Sequence, residues 1–341
     1  MIETRYHDSV NVLQELFAQG SAVRAPSPFD RAEWYRLLAE TGLTPLIAMA
    51  SDADASAALA LTDAHGRIAP LRNWYSFTWR QLAPDGPVGD RLLIEIARQL
   101  RERGHRVTLE PVPEEDGSAT RLATAFRAAG WRVEVTRCDT NHVLHVGGRS
   151  FDEYWASRPG PLRTTLKRKA KKVDVELLCD FDAEAWAHYE RIYDASWKPE
   201  EGEPIMLREF ARAEGAAGRL RLGLARYEGE PIAAQFWTVE NGVAYIHKLA
   251  HLEEHRNLSA GTTLTAALFK HLIDIDKVAS ADFGTGTQSY KSDWMNATRP
   301  RYRIDCLNMH KPRAWVDLSL IALNRTVSDD WLKLAPGPLP S

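Results

Sequence analysis

The most constraining feature of this chain is an uninterrupted succession of strand, turn, helix, strand and loop over residues 243–291. In order, the segments read VAYIHKLAH, LEEHRNLSAG, TTLTAALFKHLIDID, ASADF and GTGTQSYK. Short apolar runs predict the strands, and apolar residues spaced three and four apart predict the helix. Unpaired backbone N–H groups and the helix dipole favour an anion where such a helix begins. The segment therefore predicts a turn that binds phosphate.

The first half of the chain carries a similar order of elements. There the amphipathic helix DRLLIEIARQLRERG precedes the strand RVTLEPV. An offset of 172 residues places Gly89 on Gly261 and Glu110 on Asp282. Two half-proteins with one order of elements would explain the length, although any two amphipathic helices can align this well. The turn PDGPVG of the first half lacks a serine and threonine cluster, so we expect it to bind no cofactor.

The fold class expected from this order is α/β with a mixed, mostly antiparallel sheet flanked by helices in each of two tandem domains. The halves meet near the sequence HVGGRS, and the tail APGPLPS has the composition of a disordered end. We predict a first domain over residues 1–149, a second over 150–330 and a tail over 331–341.

Composition excludes several classes of protein. A formal net charge of −3 over 341 residues gives no global preference for nucleic acid or an anionic membrane. Three separated cysteines fit a reducing cytoplasm and argue against disulfides or structural zinc. The polar N-terminus and the lack of an apolar run of about 18 residues predict a cytoplasmic protein without a membrane span. Nucleotide-binding, zinc-protease and serine-hydrolase motifs are absent from the sequence, and no metal is expected.

The predicted turn has residues suited to an anion. Ser259 is placed to cap the helix, and Gly261 permits close approach of the backbone. Thr262 and Thr263 add hydroxyl donors, and Arg256 is placed to pair with phosphate from the side. The alternative is an ordinary capped helix.

Other polar residues stand where apolar ones are expected. Asp282 ends an apolar strand, so it is a candidate proton acceptor. The alternative is a carboxylate that caps the following glycine turn.

Six of ten residues in the segment 163–172 are basic, including Arg163 and Lys167. This suits an anionic substrate, a cofactor phosphate or tRNA, or else a solvated helix face. Trp237 is a candidate wall of a substrate groove or a core residue.

Four segments together resemble the GNAT acyltransferases, and more narrowly the group with two such domains in one chain. That group includes FemAB-like aminoacyl transferases and the acetyltransferases labelled cellulose-biosynthesis (CelD-like) or BioF-like. The four segments are FDEYWASRPGPLRTTLKRKAKK, GEPIAAQFWTVENGVAYIHKLAH, NLSAGTTL and ADFGTGTQSYKSDW. The turn departs from the group's pattern because Ala260 replaces a proline, and it lacks the second glycine of the usual GNAT loop.

The resemblance implies transfer of an acyl group, expected to be acetyl, from acetyl-CoA or another acyl-CoA to a primary amine. The acceptor is a small molecule or a cell-envelope precursor. The implied catalytic residues are His247 near the acyl group, Asp282 as base, Tyr290 as proton donor and Lys291 as oxyanion stabiliser. The implied cofactor-binding residues are Leu249, His251, Arg256, Asn257, Ser259, Ala260, Gly261, Thr262 and Thr263.

Three alternatives stay open at this stage. Tyr245, His247, Leu249 and His251 are predicted to share one face of a strand, where His247 can equally be a core histidine. A FemAB-like enzyme would instead use aminoacyl-tRNA, which the basic segment fits. A GNAT-like module without activity would bind only a glycan or a partner protein.

Overall fold

A computed structural model describes residues 1–18, 23–286 and 290–320 of the chain. In the first half it contains six strands and four helices over these residues. The strands are β1 (Glu3–His7), β2 (Leu46–Ser51), β3 (Ser56–Ala64), β4 (Arg67–Pro70), β5 (Arg106–Pro113) and β6 (Arg132–His145). The helices are α1 (Asn11–Ala18), α2 (Ala32–Glu40), α3 (Pro87–Arg103) and α4 (Ser118–Ala128).

The second half contains six strands and six α-helices up to residue 307, and residues 312–320 are also helical. The strands are β7 (Asp174–Leu178), β8 (Leu220–Tyr227), β9 (Glu230–Glu240), β10 (Val243–His251), β11 (Ser280–Thr285) and β12 (Ala297–Leu307). The helices are α5 (Phe151–Ala156), α6 (Gly160–Lys169), α7 (Ala183–Asp194), α8 (Pro204–Ala216), α9 (Ala260–Asp274) and α10 (Tyr290–Trp294).

All twelve strands form one sheet whose order is symmetric about its centre. The order is β1-β2-β3-β4-β5-β12-β6-β11-β10-β9-β8-β7. Strands at equal distances from the two ends of this order correspond to each other. Their numbers differ by six, so that β1 corresponds to β7 and β5 to β11. Two pairs, β4 with β5 and β10 with β11, are parallel, and the other neighbours are antiparallel. The expected mixed, mostly antiparallel sheet flanked by helices in two similar halves is confirmed.

The two halves exchange their last strands at the centre of the sheet. Strand β12 lies between β5 and β6 of the first half, while β6 lies between β11 and β12 of the second. The β6–β12 ladder runs from the Val143–Ala297 pair to the Arg132–Leu307 pair. No break in hydrogen bonding therefore separates the halves in the described sheet. The domain bounds 1–149 and 150–330 stay a prediction, and the tail 331–341 lies outside the described residues.

The offset of 172 residues matches the three-dimensional arrangement. Helix α3 connects the parallel strands β4 and β5, and α9 connects the parallel strands β10 and β11. Helix α3 packs against β2 and β3, as α9 packs against β8 and β9. Gly89 near the start of α3 thus corresponds to Gly261 near the start of α9.

The two helix starts differ in what fills the space in front of them. The Arg121 guanidinium donates to the Pro84 carbonyl at 2.6 Å and to the Asp90 carboxylate at 2.5 Å. A Cβ atom on Gly89 would lie 1.9 Å from the Pro84 carbonyl oxygen. A Cβ atom on Gly261 would meet nothing closer than His251 Nδ1 at 3.8 Å. The start of α3 is therefore filled by the protein's own atoms, whereas the start of α9 has room beside it.

The core lies on both faces of the sheet, under the helices. One cluster of buried apolar residues joins α2, α3, α4, α7 and α8 to the sheet, and another lies between α5, α9 and the sheet. Helices α2 and α8 of opposite halves pack together, and Arg31 forms a 2.6 Å ion pair with Glu214 there. None of the helices in the described ranges combines the length and apolarity that crossing a membrane requires.

We predict opposite effects of one substitution at the two corresponding glycines. Gly89→Ala should lower the free energy of unfolding by about 1–3 kcal/mol, because its methyl group would collide with rigid backbone. Gly261→Ala should leave stability unchanged or raise it by up to about 1 kcal/mol, since alanine is the better helix former. Urea unfolding followed by circular dichroism measures both, and equal losses would contradict the difference between the turns.

Candidate active site

The parallel strands β10 and β11 separate after only three pairs. Val243, Ala244 and Tyr245 pair with Ser280, Ala281 and Asp282, and beyond them β10 follows β9 while β11 follows β6. A cavity of about 360 Å³ opens where they part. We call it the strand-gap cavity; Ile246, His247, Lys248, Leu249, Phe283, Gly284 and Thr285 supply its floor.

The first half supplies one wall of the strand-gap cavity. Trp74, Tyr75 and Phe77 lie on the segment that follows β4 and border the cavity. Phe77 lies against Gly284, where an added Cβ would be 3.0 Å from the phenyl ring. Gly284 also has a φ of +65°, a backbone conformation that favours glycine. The site is thus formed by both halves.

A β-bulge in β10 sets the direction of the side chains. Ile246 pairs with Trp237 and Lys248 with Phe236, so His247 is the extra residue. A bulge leaves the extra residue outside the ladder and changes the alternation of faces. The prediction that Tyr245, His247, Leu249 and His251 share one face is therefore wrong.

The bulge separates these side chains between two faces. Tyr245 packs in the core cluster that contains Phe236, and the His247 ring stacks on Phe236. Leu249, which pairs with Gln235, packs instead against the cluster that contains α9. The face toward α7 and α8 thus carries Tyr245 and His247, and the face toward α9 carries Leu249.

His247 lies among aromatic rings at the edge of the cavity. Its imidazole is 4.8 Å from the Phe236 ring, and its Nε2 is 2.8 Å from Thr238 Oγ1. Burial, assisted by the nearby Lys248 ammonium, lowers the pKa of His247 to about 3. The ring is therefore neutral at pH 7 and accepts a proton weakly.

Lys248 is a site residue that the sequence reasoning missed. Its ammonium forms a 3.0 Å ion pair with Glu201 and lies 3.7 Å from the Trp74 ring centroid. Both members of the pair are buried, with 6% and 7% of their side chains exposed. Burial lowers the pKa of Lys248 to about 8, although Glu201 opposes the shift. In the sequence, the indication of this role was a lysine within the mainly apolar strand β10.

Tyr290 and Lys291 border the same cavity. The Lys291 ammonium donates to the carbonyl oxygens of Phe283, at 3.0 Å, and Thr285. Burial lowers the pKa of Lys291 to about 8, while the Asp282 carboxylate opposes the shift. The Tyr290 ring lies 5.7 Å from that of Phe283, and burial raises the pKa of its hydroxyl.

Asp282 lies behind the cavity floor. One carboxylate oxygen accepts the Gly284 amide at 2.7 Å, and the other accepts Asn141 Nδ2 at 3.0 Å. The Arg301 guanidinium of β12 is 3.6 Å away. Burial raises the pKa of Asp282, and Arg301 opposes the shift. These contacts favour the alternative in which the carboxylate caps the glycine turn.

The first turn of α9 contains a buried hydroxyl donor that is unused within the described residues. Thr263 is 6% exposed, and its Oγ1 has no hydrogen-bond partner in the described part of the chain. Ser259 has a φ of +52° and makes no side-chain cap, so the predicted capping role is wrong. Its hydroxyl instead accepts the Lys169 ammonium at 3.1 Å. The basic helix α6 thus reaches the predicted phosphate position.

The other predicted residues divide between this turn and the core. Arg256 is 78% exposed and 3.9 Å from Glu253, and His251 lies against the Trp197 ring. Arg163 and Lys167 are exposed on α6, Asn257 is exposed, Thr262 is partly exposed and Ala260 is buried. Trp237 is fully buried against Phe269 of α9 and does not border the strand-gap cavity, so the structure does not place it at a substrate groove.

A family model matches the part of the chain that builds this site. Residues 161–292 match the acetyltransferase (GNAT) domain, and they include the divergent strands, the turn and Lys291. These residues form a GNAT acetyltransferase domain. The protein is accordingly an acyltransferase.

Solved structures share the fold of both halves. FemX aligns with a TM-score of 0.63 and 12% identity over 90% of this chain and 98% of its own. A protein described as the C-terminal domain of a lysylphosphatidylglycerol synthetase from Agrobacterium fabrum gives 0.58 and 13%, over 93% and 95%. L-PGS from Bacillus licheniformis gives 0.55 and 13%, over 94% and 97%. No curated protein matches the sequence significantly.

We predict that Glu201 and Lys248, which pair beside the strand-gap cavity, are strongly coupled in their effects on the free energy of unfolding. Glu201→Gln or Lys248→Met alone should lower the free energy of unfolding by about 3 kcal/mol, because each leaves a buried group without its partner. The double variant should lose much less than the sum. A double-mutant cycle in urea measures the coupling.

The surface pair Glu33 and Arg36 provides the control. Each side chain is 37% exposed, so its cycle should give less than about 1 kcal/mol. Additive losses at Glu201 and Lys248 would contradict a buried ion pair.

Proposed function

We propose that this enzyme transfers an acyl group, acetyl in the simplest case, from acyl-CoA to a primary amine. The observation that carries the proposal is the opening of β10 and β11 into a cavity whose lining residue Trp197 contacts His251, which in turn lies next to Gly261 at the start of α9. A thioester seated between the strands would have its pyrophosphate at that helix start, where N–H groups and the dipole favour anions.

The donor would be held by residues of the turn. Gly261 has room beside its Cα, and Thr263 has a buried hydroxyl without a partner among the described residues. Lys169 brings a positive charge to Ser259. Gln235 of β9 holds the turn in place, since its Nε2 donates to the Gly261 carbonyl at 3.0 Å. The proposed donor contacts are the amides of residues 260–262, Thr263 and Lys169, with Arg256 and Asn257 at the exposed edge.

The acyl carbonyl would lie over the bulge of β10. A bulge leaves an N–H group outside the ladder, and such a group can donate to a developing oxyanion. The Lys291 ammonium borders the same space and adds positive charge. Tyr290 remains the proposed donor of a proton to the leaving thiolate.

The proton released by the attacking amine needs an acceptor. His247 is a weak base because its pKa is about 3, and the Asp282 carboxylate already accepts Gly284 and Asn141. Lys248 borders the cavity, and with a pKa of about 8 it is partly neutral near physiological pH. We therefore assign the base to Lys248 ahead of His247 and Asp282.

A second candidate donor is aminoacyl-tRNA, and the position of α6 favours it. This helix carries Arg163, Lys167 and Lys169 beside the turn, and its basic face suits a nucleic-acid backbone. The fold shared with FemX and with a protein named for lysylphosphatidylglycerol synthesis is compatible with such a donor. An acceptor from the cell envelope would suit either donor.

The free thiols of Cys138, Cys179 and Cys306 support a cytoplasmic location.

Acetyl-CoA binding discriminates between the two donors. We expect the purified protein to bind acetyl-CoA at sub-millimolar concentration in calorimetry. Lys169→Met should weaken binding about tenfold by removing a charged contact at the turn. Lys172→Met, a matched loss of charge farther along the basic segment, should leave it unchanged. Folded protein that binds aminoacyl-tRNA in a salt-sensitive manner, and does not bind acetyl-CoA, would overturn the acyl-CoA assignment.

We also predict that kcat falls as the pH rises above about 8. Oxyanion stabilisation needs Lys291 in its cationic form, which is present below its pKa of about 8 and lost above it. At saturating substrates, kcat should then fall by about tenfold per pH unit. Lys291→Arg should remove this fall, because arginine stays protonated. Lys270→Arg on the exposed side of α9 is the control, and an unchanged fall in Lys291→Arg would assign it to another group.

A further inference from the structure

A second cavity adjoins the strand-gap cavity. It has a volume of about 320 Å³ and lies between α7, the start of α8 and the segment joining them. We call it the acidic pocket; its characteristic residues are Tyr189, Glu190, Asp194, Glu200, Glu201 and Ile205. Tyr193 and Leu207 border both cavities, so the two share a wall.

The acidic pocket carries an excess of negative charge. Arg208 neutralises Glu190 through contacts of 3.0 and 2.5 Å. Within the described ranges, Asp194 and Glu200 form no ion pair. No group of carboxylate, histidine or cysteine side chains in the described part of the chain is arranged to hold a metal ion. The charge therefore suits an organic cation.

Two buried polar atoms of this pocket lack partners. Glu201 Oε2 belongs to a side chain that is 7% exposed, and Tyr189 is 2% exposed. Neither Glu201 Oε2 nor the Tyr189 hydroxyl has a hydrogen-bond partner among the described residues. A buried carboxylate oxygen without a donor is costly, and an ammonium group supplies three donors. These two atoms therefore indicate where a ligand ammonium would bind.

The rest of the pocket suits a hydrocarbon chain. The Trp186 ring borders it, and Ile205 is 78% exposed at its rim. Leu207 continues the apolar lining to the strand-gap cavity. An aliphatic chain can thus be covered along its length while its charged ends meet carboxylates.

The wall between the two cavities contains the Glu201–Lys248 pair. One carboxylate oxygen of Glu201 accepts the Lys248 ammonium at 3.0 Å, and the other is the unpartnered one. Lys248 borders the strand-gap cavity, and Glu201 borders the acidic pocket. A ligand ammonium at Glu201 would consequently lie next to the space assigned to the acyl group.

We propose that the acidic pocket binds the acceptor, and that the acceptor is an aliphatic diamine or polyamine. One ammonium group binds at Glu201 and Tyr189 with Asp194 and Glu200 nearby, and the chain carries a second amine past Leu207 into the strand-gap cavity. This assignment rests on the proposed acyl transfer and names its acceptor class. The reaction joins the neutral amine to the acyl carbonyl, releases the thiolate and moves one proton from nitrogen to Lys248.

Calorimetry with 1,5-diaminopentane tests the assignment without any donor. We expect the diamine to bind at least about tenfold more tightly than n-pentylamine, which has one charge, or 5-aminopentanoate, which replaces one with a carboxylate. Glu201→Gln and Asp194→Asn should each weaken diamine binding, Glu201→Gln by about tenfold or more. Tyr189→Phe should weaken it several-fold while removing only one oxygen atom. Glu184→Gln, exposed on the same helix, should have no effect.

Acetyl-CoA binding, measured in parallel, separates two kinds of failure. Tyr189→Phe and Asp194→Asn should keep wild-type affinity for acetyl-CoA, which also shows that these variants are folded. A protein that binds acetyl-CoA but not the diamine, or whose diamine binding survives all three pocket substitutions, would overturn the acceptor site alone. A folded protein that binds neither compound would overturn the proposed transfer from acyl-CoA as well.

Discussion

The hydrogen-bonded ladder between β6 and β12 is the interaction on which the rest of the structure depends. Because β6 also pairs with β11, strand β11 pairs again with β6 at Thr285 after β10 has left it at Asp282. Strand β10 in turn stays paired with β9. Each of the two parallel strands therefore stays paired on its outer side while the gap opens between them. An isolated second half would lack β6, and its β11 would lose that support.

The symmetric order of strands makes the differences between the halves informative. The start of α3 is closed by Arg121 and the Pro84 carbonyl. The segment after β4 is bound to its own half by the Trp79 amide, which donates to the Pro111 carbonyl at 2.9 Å. That same segment places Trp74 against Lys248 of the other half. One half has thus lost room for an anion and instead forms a wall of the site in its partner half.

Much of this architecture is visible in the sequence, but its long-range contacts are not. The alternation of apolar residues predicted β10, α9 and β11, and the repeat predicted two similar halves, because both depend on local spacing. The bulge at His247 was not predictable, since it arises from pairing with β9 and reverses the faces beyond it. Glu201 and Arg301 were missed for a related reason. Their partners Lys248 and Asp282 lie on other elements, and only the folded sheet brings these charges together.

The distribution of protons in the site follows from burial more than from residue type. Histidine is the usual base near neutral pH, yet His247 lies among aromatic rings and next to a cation, so it stays neutral without readily accepting a proton. Lys248 and Lys291 are buried to a similar degree, and in each case a carboxylate only partly restores the cationic form. Both lysines consequently change charge near pH 8. Lys248 contacts the Glu201 carboxylate, whose other oxygen has no partner among the described residues, which suits passing a proton. Lys291 donates to two carbonyl oxygens, which favour its charged form. The same residue type can thus serve as a base on one side of the gap and, below about pH 8, as a positive charge on the other.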